Sequence, residues 1–150
     1  MIRRWAPAGL ADLTAGRRQL AAALHDGACP SGAEKGAVER LLLAYEELAS
    51  NALRHGRSPV EVTVTSNTTS WLLEVSDAAA AQPPSPAIGR DPARGGLGLY
   101  LVARLCDAHG WMTDGHCKTV WARIDYTRAE IRSTAPQGRA RPRGHRGRDH

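Results

Sequence analysis

The chain has 150 residues with an apolar fraction of 42%, which suits a single globular domain with one core. No run approaches the roughly 18 apolar residues of a membrane span, and the N-terminus lacks the apolar stretch of a signal peptide. The three cysteines are odd in number and lack metal-ligand spacing, so we expect reduced thiols in a cytoplasmic protein without a membrane anchor.

The net charge of +5 is confined to the end of the chain. Residues 128–150 carry seven arginines against Glu130 and Asp149, whereas residues 1–127 carry 13 basic and 13 acidic side chains. This distribution predicts a folded domain over residues 1–126 and a basic, disordered tail over residues 127–150. Nucleic acid is therefore expected to bind only non-specifically, through the tail, and a DNA-binding protein is the least favoured class of function.

In the first third of the chain, the apolar spacing and the positions of Gly, Pro and Ser predict a short edge strand over residues 2–6, a helix over residues 10–24 and a loop over residues 27–36. A longer helix follows over residues 37–55. Its apolar side chains recur at steps of three and four, which is the period of one buried helical face. The members of that stripe are Val38, Leu41, Tyr45, Leu48 and Ala52.

Two polar residues of this second helix lie one turn apart on a face beside the apolar stripe. Glu47 and Asn51 could form the rim of a pocket, where a carboxylate can take a proton and an amide oxygen can ligate Mg²⁺. Taken alone, such a pair is more often a solvated polar edge. His55 continues the same series at the helix end, and Gly56 is predicted to end the helix in the left-handed conformation.

The next segments predict an antiparallel hairpin with strands over residues 60–65 and 71–75. The second strand runs into Asp77, which is either a turn-forming residue or a carboxylate placed at a strand end for binding. Residues 78–94 form a long proline-rich segment, of the length of a functional lid or a disordered loop.

A glycine-rich turn, Gly95-Gly96-Leu97-Gly98-Leu99, then opens a helix predicted to run through His109, and such a turn can accept phosphate at the helix N-terminus. Short strands are predicted over residues 110–112 and 118–126. The order β-α-α-β-β-lid-α-β-β predicts an α+β two-layer sandwich, with a mainly antiparallel mixed sheet and helices on one face.

Four features occur in a fixed order: Glu47-x-x-x-Asn51 with His55-Gly56, Asp77 at a strand end, the glycine turn, and Lys118-Thr119-Val120-Trp121 on the last strand. Together they resemble the GHKL ATPase superfamily, which includes gyrase B and the histidine kinases. Within it, the chain is most similar to bacterial anti-sigma-factor serine kinases and their actinobacterial relatives. The resemblance covers roughly residues 10–126 and implies a Bergerat-type ATP-binding fold.

The resemblance implies ATP and Mg²⁺ as ligands and gives particular residues a role. Glu47 would be the general base, Asn51 would ligate Mg²⁺, and Asp77 would accept a hydrogen bond from the adenine amine. Thr119 would lie beside Asp77 and support the same contact. The other ATP-binding positions that it implies are His55, Gly95, Gly96, Leu97, Gly98, Leu99 and Lys118.

One departure from the family pattern bears on function. The family's adenine motif continues Asp-x-Gly-x-Gly, whereas Asp77 is followed by the four alanines of residues 78–81. The resemblance implies a serine/threonine protein kinase of a bacterial partner-switching system, acting on a sigma factor or a small antagonist protein. The alternative is a nucleotide-binding module, weak or inactive in catalysis, that regulates a partner by contact. A homodimer is compatible with both.

Overall fold

The computed structural model describes residues 2–80 and 98–127, with the backbone only at residues 98–101. In this part of the chain, five strands and three helices follow the predicted order. The strands are β1 Arg3–Trp5, β2 Glu61–Ser66, β3 Ser70–Asp77, β4 Ala108–Thr113 and β5 Lys118–Asp125. The helices are α1 Leu10–Ala23, α2 Lys35–His55 and α3 Gly98–Leu105, with a π-helical turn at Leu24–Ala28 after α1.

The five strands form one sheet in the order β1-β2-β3-β5-β4, and every neighbouring pair is antiparallel. Successive side chains of a strand point to opposite faces, so each strand presents alternate residues to the helices. The buried set of the helix-facing side includes Val62 and Val64 of β2, Leu73 and Val75 of β3, and Ala122 and Ile124 of β5. The predicted α+β sandwich is confirmed.

Helix α2 packs against α1, α3, β3 and β5, so it is the element that the sheet and the other helices share. Its buried stripe includes Leu41, Tyr45, Leu48 and Ala52, as the apolar period predicts. The Tyr45 ring meets Trp5 edge to face, with the ring centroids 5.4 Å apart. Burial raises the pKa of the Tyr45 hydroxyl to about 12. The first strand is thus attached to the same helix that carries the candidate site.

A buried arginine joins α2 to the last part of the sheet. Arg40 donates to the Leu105 carbonyl oxygen and to Asp107 Oδ2 over 3.3 Å each, and to the Asp125 carbonyl oxygen over 3.5 Å. Asp107 Oδ2 also accepts the Asp125 N–H at 2.8 Å. These contacts fix the end of α3 and the end of β5 relative to α2.

The predicted end of the third helix is wrong. The helix ends at Leu105, and Ala108 and His109 begin strand β4. The Asp107 N–H donates to the Arg123 carbonyl oxygen over 2.9 Å, which starts the pairing with β5, while Arg40 takes the Leu105 carbonyl that another helical turn would use. Tertiary hydrogen bonds therefore end a helix that the local sequence could continue.

None of the helices in the described part of the chain is both long and apolar enough to cross a membrane. The domain boundary expected at residue 126 stays a prediction, because residues 128–150 lie outside that part. The fold up to the boundary is held at Tyr126, whose hydroxyl donates to the Asn67 carbonyl oxygen over 2.6 Å. The Tyr126 ring also packs edge to face on the buried Trp71, at a centroid distance of 4.8 Å.

Candidate functional site

The candidate site begins on α2, where Glu47 and Asn51 lie one turn apart and are both half-buried. Buried residues flank them on the helix, so the pair borders the core instead of facing open solvent. Among residues 2–80 and 98–127, no hydrogen bond is formed by the Glu47 carboxylate or by the Asn51 amide, although the Glu47 carbonyl oxygen accepts the Ser50 hydroxyl.

The carboxyl group of Glu47 has an unusual environment for a surface helix. Its pKa is raised, first by burial and then by the negative charge of the adjacent Glu46, while Arg54 acts in the opposite direction. A carboxylate with a raised pKa holds a proton more readily than an ordinary glutamate. Glu47 is therefore suited to accepting a proton at the rim of a site.

Asp77 ends strand β3 and is only 3% exposed. Its Oδ1 accepts the Ala79 N–H at 2.7 Å and the Arg57 N–H at 3.4 Å. Its Oδ2 lies 3.5 Å from the Lys118 ammonium. A buried carboxylate with two backbone donors and a cation is held in one orientation, as a group that recognises a ligand must be.

The loop after α2 brings the helix and Asp77 together. Arg57 donates its N–H to Asp77, and its carbonyl oxygen accepts the Ala78 N–H at 2.8 Å. Arg57, which follows the end of α2, is thus hydrogen-bonded to the end of β3 through both its N–H and its carbonyl oxygen. This places the end of the helix that carries Glu47 and Asn51 against the carboxylate of Asp77.

Gly56 makes this close approach possible, but not in the way predicted. Its φ is −87° and its ψ is −171°, so the helix does not end in the left-handed conformation. A Cβ atom at Gly56 would lie 2.6 Å from Asp77 Cγ and 2.6 Å from the Ala52 carbonyl oxygen. The position needs glycine because a Cβ atom would meet both the backbone of its own helix end and the Asp77 side chain, and a left-handed φ is not the reason.

Replacing Gly56 with alanine is expected to push Asp77 and the end of α2 apart. Overpacking of this kind costs roughly 1–3 kcal/mol of unfolding free energy, which chemical denaturation would measure. Gly36→Ala, near the start of the same helix with nothing within 4 Å of its Cβ position, is the matched control and should not lose stability. Equal stability of the Gly56 and Gly36 variants would show that the contact is easily relieved.

The sheet register decides which residue of β5 lies beside Asp77. Asp77 is paired with Lys118, and Thr119 is paired with Ser76. Because side chains alternate between the two faces, Thr119 points away from the face that carries Asp77. The structure therefore does not place Thr119 beside Asp77 as expected, and Lys118 takes that place.

The remaining predicted positions are distributed as follows. His55 is the last residue of α2 and is exposed. Gly98 begins α3 and Leu99 follows it in the helix, which packs on α2. Gly95, Gly96 and Leu97, with the proline-rich segment, lie outside the described residues.

The alanines after Asp77 adopt ordinary backbone conformations where they are described. Among residues 2–80 and 98–127, no residue other than glycine has a positive φ. Ala79 closes a turn by donating its N–H to the carboxylate two residues earlier. Alanine therefore fits the backbone up to residue 80 without the freedom of glycine.

Sequence reasoning missed the Lys118–Asp77 pair, the backbone donors of Arg57 and Ala79, and the reason for Gly56. Lys118 could have been found by aligning the end of β3 with the start of β5. The two backbone donors carry no signal in their residue types, since any residue except proline supplies an N–H.

The family model of the histidine kinase-like ATPase domain matches residues 6–124. Among solved structures, a chain of the SiaB–SiaC complex from Pseudomonas aeruginosa is similar in fold, with a TM-score of 0.59, 15% identity, and coverage of 82% of this chain and 89% of that chain. The histidine kinase AdeS of Acinetobacter baumannii gives a TM-score of 0.45 and 11% identity over 85% of this chain and 70% of that chain. No curated protein matches the chain.

Proposed function

Because the chain belongs to the histidine kinase-like ATPase domain family, we propose that it binds ATP with Mg²⁺ and phosphorylates a serine or threonine of a regulatory protein partner. The observation that supports this most strongly is the junction at Arg57. It holds the helix of Glu47 and Asn51 against a buried carboxylate at a strand end. Base recognition and proton transfer thus have separate groups on one rigid frame.

The residues of the site fit a magnesium nucleotide. Asn51 offers an amide oxygen, and Mg²⁺ is usually held by one or two protein oxygens together with phosphate oxygens. In the described part of the chain no group of three His, Cys, Asp or Glu side chains forms a protein-only metal cage. A nucleotide-dependent metal is consistent with that arrangement. When bound, the metal would offset the charge of the phosphates.

Each group then has one task. Asp77 Oδ2 would accept the exocyclic amine of adenine, in a position fixed by the bonds to Oδ1. Asn51 would hold the metal and orient the phosphates. Glu47 would take the proton of a serine or threonine hydroxyl while the hydroxyl oxygen forms a bond to the γ-phosphorus. The bond between the γ-phosphorus and the bridging oxygen of the β-phosphate would break, and its electron pair would leave on ADP.

A second function is favoured by one observation. The Asp77 carboxylate already has three partners within the chain, which limits what a nucleotide can gain there. Weak nucleotide binding at Asp77 would be enough for a nucleotide-binding module that regulates its partner by contact, with weak or absent phosphotransfer. Retention of phosphate by ATP in the presence of the partner would favour this alternative.

We also propose a protein partner in the cytoplasm, of the sigma-factor or antagonist class. Support comes from the family and from the fold similarity to a chain solved in the SiaB–SiaC protein complex. A homodimer is compatible with the same proposal. Affinity capture with the full chain, with and without ATP, would identify the partner.

Removing the amide of Asn51 tests the metal assignment. Asn51→Ala is expected to weaken ATP binding in the presence of Mg²⁺ and to leave the weaker metal-free binding unchanged, because only the metal contact is lost. Calorimetric titration with Mg²⁺ and with a chelator measures both affinities. Glu39→Ala, an exposed position on the same helix, should behave like the parent chain.

The outcomes separate clearly. If Mg²⁺ strengthens ATP binding equally in the parent chain and in Asn51→Ala, the metal is held by other groups. If the parent chain does not bind ATP under either condition, the proposed function is wrong.

A further inference from the structure

The side chains of Lys118 and Asp77 form a buried ion pair at the candidate base-recognition point. The two residues are direct cross-strand partners on β3 and β5, and both side chains face the helices. Lys118 is 6% exposed, and its Nζ lies 3.5 Å from Asp77 Oδ2. Lys118 is therefore fixed next to the same oxygen that a ligand would use.

The hydrogen-bonding capacity of this pair is only partly used. An ionised carboxylate has about four acceptor sites, of which three are occupied by Ala79, Arg57 and Lys118. An ammonium group has three N–H donors, and within residues 2–80 and 98–127 Asp77 is the one acceptor that Lys118 meets. Counted among the described residues, one acceptor site of Asp77 and spare donors of Lys118 thus remain side by side.

We propose that the Asp77–Lys118 pair recognises the substituent at position 6 of a purine and accepts an amine or an oxo group there. The nucleotide class of this site is then both 6-amino and 6-oxo purine nucleoside triphosphates. This inference rests on the proposed function, which places a nucleotide base at Asp77. It assigns to Lys118 the role of setting base selectivity.

The two kinds of base would use different members of the pair in one pose. An amine at position 6 donates to Asp77 Oδ2. An oxo group in the same place would be repelled by a carboxylate on its own, because both oxygens are acceptors. The Lys118 ammonium supplies the donor that an oxo group needs, so its presence removes the discrimination that Asp77 would otherwise impose.

The test compares ATP with inosine triphosphate, in which an oxo group replaces the 6-amine and N1 carries a hydrogen, with no substituent added elsewhere on the ring. Calorimetric titrations of the parent chain in one buffer should give affinities for the two nucleotides within about tenfold of each other. In a folded Lys118→Met variant the readout is the ratio of the two affinities, because Lys118 belongs to the site and its loss also leaves Asp77 without its counter-ion. The affinity for inosine triphosphate should fall by about ten- to a hundredfold more than the affinity for ATP, through loss of a charged hydrogen bond.

The matched control is Lys35→Met, at the only other lysine of the sequence, which is exposed at the start of α2. It should keep the parental ratio of the two affinities. Circular dichroism would establish that each variant is folded. If Lys118→Met does not fold, the ratio of the ATP and inosine triphosphate affinities of the parent chain still tests the proposal, since that measurement requires no variant.

Each outcome has one consequence. A parent chain that binds ATP and rejects inosine triphosphate overturns the role of Lys118 and leaves the proposed function standing. A folded Lys118→Met variant with the parental ratio does the same. A parent chain that binds neither nucleotide overturns the proposed function and this inference with it.

Discussion

Replacing Glu47 with alanine is expected to lower phosphotransfer by about 10²–10⁴, the usual contribution of a positioned general base. ATP affinity should stay within a few-fold of that of the parent chain, because proton transfer acts on the transition state and adds little to ground-state binding. The measurement is transfer of labelled γ-phosphate to the co-purified partner, or to water where no partner is found. If a folded Glu47→Ala variant transfers phosphate as fast as the parent chain, another group must be the general base.

The matched control is Glu46→Ala, one residue earlier on α2. Glu46 has no part in the proposed chemistry. Its carboxylate forms an ion pair with Arg17 at 3.4 Å on the surface. Transfer should persist in this variant. The pKa of Glu47 should fall, because the like charge of Glu46 is one of the causes that raise it.

The pH profile tests the same assignment. Glu47 acts as a base only when ionised, so transfer should rise with pH through its raised pKa and then level off. In Glu46→Ala the half-maximal point should move to lower pH. Stability should show the opposite trend in the same window: the folded state holds this proton more tightly than the unfolded state, so ionisation of Glu47 lowers the free energy of unfolding as pH rises. A profile that does not move in Glu46→Ala would contradict the assignment.

The architecture was predictable because burial imposes a period on each element. The stripe of α2 requires one helical face against the sheet, and its predicted limits lie within two residues of Lys35–His55. The alternating apolar residues of β2 and β3 require one covered face in the same way. Where a local pattern is set by burial, the sequence carries it directly.

The end of α3 and the conformation of Gly56 depend on residues far away in the chain. Arg40 and the Arg123 carbonyl end α3 after Leu105, although the local pattern continues to His109. A Cβ atom at Gly56 would meet Asp77, some twenty positions later, as well as the Ala52 carbonyl oxygen of its own helix. The contacts with Arg40 and with Asp77 are not contained in any local propensity.

The candidate site divides along the same line. Glu47, Asn51 and Asp77 were identified because their residue types and spacing fit a family pattern, and the structure brings α2 and the end of β3 together. Which residue lies beside Asp77 depends on strand register, where a shift of one residue exchanges the two faces. The register selects Lys118 over Thr119, and it was not predicted.

Converting Asp77 to asparagine is expected to lower ATP affinity by about ten- to over a hundredfold, equivalent to roughly 1.5–3 kcal/mol for a hydrogen bond to a charged group. The amide oxygen is needed by the Ala79 and Arg57 N–H groups, so the amide NH₂ takes the place of Oδ2, and a donor replaces the acceptor of the adenine amine. The same change leaves the Lys118 ammonium buried without its counter-ion. Breaking a buried pair from one side costs about 3–5 kcal/mol of stability, so a loss of binding could reflect unfolding alone.

The double variant Asp77→Asn with Lys118→Met separates the two causes. Removing both charges takes away the unpaired ammonium, and replacement of a whole buried pair is often neutral for stability. The double variant should therefore unfold near the parental denaturant concentration and still fail to bind ATP. Recovery of both stability and ATP affinity in the double variant would show that Asp77 serves the fold through its ion pair and takes no part in recognising the base.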